Sequence, residues 1–328
     1  MHSVTIASLD PKPEMKTETT RRRFLATGSA ALAAASLAPV ASSAQAAAKG
    51  KRIGFIDYDL NGYHPRVFLK AMREELKERG FTLGGCHALD EEKSRPWAEK
   101  NDVAYFSDLK ALDEAVDFYM ILAPSNPEVH LDLCQKIFPF RKPTYVDKTF
   151  APNVATAKRI FGLADRMGTP IQTTSALRYT NAQTHVAKAG RENVRHMTAW
   201  VAGSNFNEYV IHPVELIVSC MGHEVEGLMR RGQDPESQLL INFSDGRTGT
   251  VNVFNKTRTR YSASITTKKA TDYLEVDVKQ IFIDNLAAIL DFFESGKPNV
   301  DRRESIAVMK ILEAAKNSAA LKGFVPLG

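Results

Sequence analysis

Between Arg52 and Thr174, short apolar runs alternate with stretches whose apolar residues recur every three or four positions. Ile53-Gly54-Phe55-Ile56 reads as a strand, and Val67, Ala71, Met72 and Leu76 follow at helical spacing, with Gly80 in the place of a helix stop. A second strand is predicted near Phe81–His87, and a short helix is marked by Leu109, Leu112, Ala115 and Val116. The strongest strand signal is Phe118-Tyr119-Met120-Ile121-Leu122-Ala123. Asn126-Pro127 then forms an N-cap and first-turn pair for a helix running through Cys134. Thr144-Tyr145-Val146 is a further strand. Asn153 caps a helix whose apolar face is Val154, Ala157, Ile160, Phe161, Ala164 and Met167, and Gly168 ends it before the strand Pro170–Thr173. Strands separated by helices of this length predict right-handed βαβ units and a doubly wound parallel sheet.

The second half has another rhythm. Leu239–Phe243 and Thr250–Phe254 flank Asp245-Gly246, a hairpin signal, and Arg195–Ala202, Tyr261–Thr267 and Tyr273–Val278 add strands with few helices between them. This predicts an α+β half with a large, mostly antiparallel open sheet. Two helices close the chain, one with Phe282, Leu286, Ile289 and Phe293 on its apolar face, the other with Val308, Ile311, Leu312, Ala315 and Ala319. The expected division is 47–174 for the Rossmann-like half and 175–328 for the substrate and oligomerisation half. The hairpin residues Val251 and Val253 suggest a face for a homo-oligomer.

Ahead of all this, Thr20-Arg21-Arg22-Arg23-Phe24-Leu25 precedes an Ala-rich run ending in Ala44-Gln45-Ala46. Charged residues, a short apolar region and a small-residue cleavage site describe an export signal, and the arginine pair points to the twin-arginine (Tat) machinery. Residues 1–46 are therefore read as a signal peptide, with Met15 an alternative start, and the mature chain as periplasmic or secreted. The signal run is too short to span a bilayer, and no membrane span is expected after cleavage. Cleavage lowers the formal charge from +5 to about +3 and leaves no basic run, so nucleic acid is not an expected partner. Cys86, Cys134 and Cys220 are odd in number, far apart and without CxxC spacing, which reads as buried small apolar residues.

The chemistry-bearing segments are Ile121-Leu122-Ala123-Pro124-Ser125-Asn126-Pro127-Glu128-Val129-His130, Tyr145-Val146-Asp147-Lys148-Thr149 and Val210-Ile211-His212-Pro213-Val214-Glu215-Leu216. In this order they resemble the Gfo/Idh/MocA family of sugar and polyol dehydrogenases. The first is similar to the family's turn after its fourth strand, the second stands where it has Glu-Lys-Pro, and the third where it has a His-Asp-x-Asp segment. Asp147 for Glu and Thr149 for Pro are departures. The resemblance covers nearly all of the mature chain. It implies hydride transfer between a sugar or polyol and NAD or NADP, with Lys148 beside both, and an acid–base pair in Glu208 and His212. It also puts Pro124, Asn126 and His130 at the cofactor crevice. Residue chemistry agrees. A hydride leaving a hydroxyl-bearing carbon requires the hydroxyl proton to leave too, which suits a histidine. A lysine can stabilise the developing oxyanion. Spacing of four puts Glu208 within reach of His212 on a helix face.

The turn after the first strand departs most. A dinucleotide fingerprint would put glycines where this chain has Asp57 and Asp59, and only the third, Gly62, stands. Two aspartates in the helix's first turn oppose a pyrophosphate. Asp90 is the nearest acidic residue for a ribose. Three readings follow: an exported NAD(P)-dependent sugar oxidoreductase with an atypical phosphate turn; a non-redox lyase or hydrolase on a sugar, with Asp57, Asp59 and His64 as possible metal ligands; and a non-catalytic carbohydrate-binding protein. The first is favoured, with no metal site assigned.

Overall fold

A computed structural model describes residues 50–328; the proposed signal and its cleavage site lie outside the described residues. The first half runs β1 (Arg52–Asp57), α1 (Tyr63–Arg73), β2 (Thr82–Ala88), α2 (Glu91–Lys100), α3 (Leu109–Ala115), β3 (Phe118–Ile121), α4 (His130–Ile137), β4 (Thr144–Asp147), α5 (Val154–Met167) and β5 (Ile171–Thr174). The five strands form one parallel sheet in the order β2-β1-β3-β4-β5. Burial on both faces explains the near-continuous apolar strands. Within β3, Tyr119 and Ile121 pack with α4 and α5, and Phe118 and Met120 with α1 on the other face.

Local signals account for most boundaries. Asn153 caps α5 by accepting from the amide of Thr156, and Gly168 leaves the helix in the left-handed region, φ 68°. Gly80 also adopts positive φ, but it closes a short 3-10 turn after α1 has ended at Arg73. Helix α2, Glu-Glu-Lys-Ser-Arg-Pro-Trp-Ala-Glu-Lys, escapes a reading based on periodicity because it offers only Trp97 and Ala98 to the core as apolar residues and contains Pro96. Its start is nonetheless capped by Asp90.

The second half comprises α6 (Asn181–Ala189), β6 (Val194–Val201), α7 (Phe206–Tyr209), α8 (Ile211–Met221), β7 (Val225–Gln233), β8 (Glu236–Phe243), β9 (Thr248–Phe254), β10 (Ser262–Thr267), β11 (Thr271–Glu275), α9 (Ile281–Ser295), α10 (Arg302–Lys316) and β12 (Val325–Pro326). Its seven strands are ordered β11-β10-β6-β9-β8-β7-β12, antiparallel throughout except for the β6–β9 pair. The Asp245-Gly246 hairpin joins β8 to β9, with Gly246 at φ 78°. Strand β7 has no counterpart among the sequence-predicted strands.

Val251 and Val253 are fully buried against the helical layer. They are core residues, and the dimer face read from them is corrected: in strand alternation, the opposite face of β9 carries Thr250 and Phe254, half-buried, and Asn252, buried within the sheet. Helix α9 returns to the first half. Leu286, Ile289, Phe292 and Phe293 join the core over β1 and α1, and Phe293 stacks on Phe118 with centroids 4.8 Å apart. Cys86, Cys134 and Cys220 are buried and free, as their spacing implied. No helix among the described residues is long and apolar enough to cross a membrane.

Candidate active site

The carboxyl ends of β1, β3, β4 and β5 open into a cleft of about 860 Å³, roofed by α7, α8 and the segment before β10. Open α/β sheets bind ligands at this edge. The cleft is lined by Asp57, Asp59, Gly62, Pro124, Asn126, Lys148, Glu208 and His212, so eight of the nine residues expected at the catalytic and cofactor sites share one cavity. The ninth, His130, does not face it. Its ring is fully buried, with its nitrogens 3.1 and 2.9 Å from the carbonyls of Phe150 and Leu122, and it shapes the loop behind Pro124.

Lys148 follows β4, and its ammonium has no hydrogen-bond partner among the described residues, though Thr149 replaces the expected proline and the Lys148–Thr149 peptide is cis. Burial lowers its pKa from the ordinary lysine value, opposed by the charges of Asp147 and Glu208. His212 sits in the first turn of α8, and its pKa lies well below the ordinary histidine value, chiefly through burial, then through the charges of Lys148 and His64. A neutral imidazole beside a partly desolvated lysine suits proton acceptance next to a developing oxyanion.

The expected Glu208–His212 pairing is not formed. Glu208 belongs to the short helix α7, before the α7–α8 junction at Val210, and it accepts from Ser204 Oγ at 3.1 Å. The partner of His212 Nδ1 is Ser175 Oγ, 2.7 Å away, at the end of β5. Sequence reasoning misses Ser175 because nothing local marks it; its position just beyond a parallel strand is the available signal.

A second pair is also invisible in the sequence. His64 Nδ1, in the first turn of α1, hydrogen-bonds Asp147 Oδ2 at the end of β4, and both residues are buried. In the sequence Asp147 stands out only as a departure from the family's glutamate. Its other oxygen accepts from the backbone amide of Lys148 at 2.8 Å and lies 3.1 Å from the Tyr145 hydroxyl. Asp147 engages His64 through Nδ1, and no cluster of three or more potential metal ligands occurs among the described residues. Tyr63, Tyr209, Tyr261 and Phe282 supply aromatic wall.

The turn after β1 is where a dinucleotide's phosphates would sit. Asp57 and Asp59 precede α1 rather than standing in its first turn, which holds no acidic residue. Asp57 is 2% exposed; Oδ1 accepts from the amides of Tyr58 at 2.7 Å and Ala123 at 3.0 Å, while Oδ2 is buried without a partner. Burial raises its pKa to about 7. Asp59 accepts from the backbone and side chain of Asn61, whose amide also donates to the Lys93 carbonyl at 2.9 Å. The buried Leu60 donates its amide to Ser94 Oγ at 3.2 Å, and Asp90 is occupied in capping α2 and pairing with Lys93. The amides of Tyr58 and Asn61 are thus already bound to the chain's own carboxylates and that of Leu60 to Ser94, and the loop is tied down onto α2. These residues do not fit a pyrophosphate as a glycine turn does.

No family model and no curated protein matches the chain. Solved structures do. Myo-inositol 2-dehydrogenase from Lactobacillus plantarum is 13% identical with TM-score 0.72, over 85% of this chain and 100% of that one. Scyllo-inositol dehydrogenase from Lactobacillus casei is 11% identical with TM-score 0.72, over 85% and 99%. An oxidoreductase from Agrobacterium radiobacter, solved with NAD+, L-tartaric acid and magnesium, is 15% identical with TM-score 0.68, over 84% and 98%. The chain shares its fold with these dehydrogenases, a parallel α/β half followed by a mostly antiparallel half, the architecture that the sequence resemblance implied. At these identities the likeness establishes architecture, and function rests on the site.

Proposed function

We propose that the protein is an enzyme acting on a hydroxyl group of a sugar or polyol, an oxidoreductase of the type whose fold it shares. The observation that carries this reading is the convergence of Lys148 and His212 on one cleft at the carboxyl edge of the sheet. His212, kept neutral and oriented through Nδ1 by Ser175, accepts the hydroxyl proton at Nε2. Lys148 stabilises the oxygen as it gains charge, in a cavity where partial desolvation strengthens that interaction. Glu208 lines the cleft, where its charge acts on Lys148, and it makes no hydrogen bond to His212. NAD or NADP would supply the hydride acceptor. Pro124 and Asn126 line the same cleft as Lys148 and His212.

One observation favours a second, non-redox reading, in which the same proton chemistry serves a lyase or hydrolase: the Asp57 carboxylate already holds the amides of Tyr58 and Ala123. The two readings separate in one experiment. The folded protein is denatured, released ligand is identified by mass and absorbance, and a panel of sugars and cyclitols is assayed with and without added NAD+ and NADP+. A dinucleotide, bound or used, supports the oxidoreductase. Turnover without one supports the second reading. If Lys148→Ala and His212→Ala leave all turnover and sugar affinity unchanged, the site is misassigned.

Export by the twin-arginine route completes the proposal. Replacing Arg21 and Arg22 by lysine is expected to retain the precursor in the cytoplasm, and the exported chain to begin at Ala47 on N-terminal sequencing. A homo-oligomer, if formed, uses the uncovered face of the seven-stranded sheet; light scattering checks the mass.

A further inference from the structure

The His64–Asp147 pair is unused by the chemistry above, and four observations bear on it. First, Asp147 is 1% exposed, and its two oxygens are engaged by His64 Nδ1, the amide of Lys148 and the Tyr145 hydroxyl, so it is held in one orientation. Second, a carboxylate at Nδ1 fixes the ring as the Nδ1–H tautomer, which leaves the lone pair on Nε2. Third, His64 lines the cleft, and its Nε2 has no hydrogen-bond partner among the described residues and keeps solvent access, so it opens into the cavity. Fourth, the ring is clamped edge-on by Phe68 and Phe282, with centroids 5.8 and 5.2 Å away, in the same cleft as His212. His212 has only a serine hydroxyl behind it. A histidine backed by a buried carboxylate is better placed to carry positive charge after taking a proton.

We infer that His64 is a catalytic base of this cleft and that Asp147 is its positioning residue. This rests on the reading that the cleft is an enzyme site. In the step, a substrate C–H bond breaks, an Nε2–H bond forms on His64, the electron pair stays on the substrate, and Asp147 remains ionised while it stabilises the imidazolium. Lys148 faces the oxygen that gains the charge. The resemblance that pointed to Lys148 and His212 does not extend to His64, which stands two residues past Gly62 where the chain departs from the dinucleotide turn.

A probe that needs no knowledge of the native substrate tests this. 5-Nitrobenzisoxazole undergoes base-promoted ring opening: the base takes the C3 proton, the N–O bond breaks, and a nitrile and a phenolate form without any cofactor. The full chain is expected to accelerate this reaction over an equal concentration of free imidazole. His64→Gln is expected to lower kcat by about 100-fold, the lower end of what a positioned base supplies. Asp147→Asn should lower kcat by about tenfold with KM unchanged, because it disturbs the tautomer and not the cavity. Added imidazole should restore rate to His64→Ala but not to Asp147→Asn, a pattern that a purely structural pair does not give. Circular dichroism of each variant verifies folding, and His64→Gln stands in if His64→Ala does not fold. No acceleration by the wild type, or loss of rate on Lys148→Met or His212→Gln while His64→Gln retains it, overturns the assignment. Failure of the sugar panel with success here would reject the proposed substrate class and leave the base in place.

Discussion

Nδ1 of His212 lies 2.7 Å from the hydroxyl of Ser175, at the end of β5, and not against the carboxylate of Glu208 four residues earlier in the chain. The orienting group for the candidate acid–base histidine thus comes from the parallel sheet, 37 residues away. Ser175→Ala is expected to lower kcat on the identified substrate by about tenfold with little change in KM, roughly the worth of one hydrogen bond to a reacting group. Glu208→Ala should cost less. Steady-state kinetics of the two variants on one substrate checks the order.

Lys148→Met separates stability from activity. Burial disfavours the charged lysine, so the folded state binds its proton less tightly than the unfolded chain does. The resulting destabilisation is present at neutral pH and fades as the pH rises toward the unfolded lysine value. Removing the amine should raise the melting temperature by about 2–4 °C, for a gain on the order of 1 kcal/mol, while lowering kcat by at least about 100-fold. Calorimetry and kinetics at pH 7 give both numbers.

Asp57 carries the opposite sign. Its folded pKa is raised to about 7 by burial, against 3.8 ordinarily, so the folded state holds the proton more tightly and stability falls as the pH rises from about 4 to about 7. Asp57→Asn keeps an oxygen for the amides of Tyr58 and Ala123 but cannot ionise. The variant should match the wild type near pH 4 and exceed it above pH 7, by up to a few kcal/mol, since each tenfold difference in proton affinity is worth roughly 1.4 kcal/mol. Urea unfolding of both proteins between pH 4.5 and 8.5 checks the divergence.

Asp57→Gly with Asp59→Gly frees the amides of the turn and removes two carboxylates. Affinity for NAD+ is expected to rise at least about tenfold, read by calorimetry. An unchanged affinity would place the obstacle in the attachment of Leu60 and Asn61 to α2 instead.

Beneath α8, Arg178 is paired with Glu215 and Glu304 at 2.5 Å each, all three buried, and burial works against the charges that the pairing sustains. Glu304→Ala strips Arg178 of one of its two partners and should destabilise the fold by about 3–5 kcal/mol. Because Glu215 lies one turn beyond His212 on the same helix, activity should fall with it. Denaturant unfolding and kcat measured together test this.

Pattern alone determined the two-layer plan of this chain. The parallel half was legible because buried strands and amphipathic helices alternate with caps such as Asn153 and stops such as Gly168, all local signals. The hairpin at Asp245-Gly246 was legible for the same reason. Lys148 and His212 could be named because each stands in a short segment that resembles a known pattern. What pattern could not reach were pairings across the sheet edge. Asp147 and His64 are 83 residues apart, and Ser175 and His212 37; neither pair shares a helix face or a strand register that spacing would show. Val251 and Val253 show the same limit, since strand alternation tells that they share a face but not that the helices cover it. The order in which five strands assemble decided which loop ends meet, and with it which histidine has a carboxylate behind it and which has a serine.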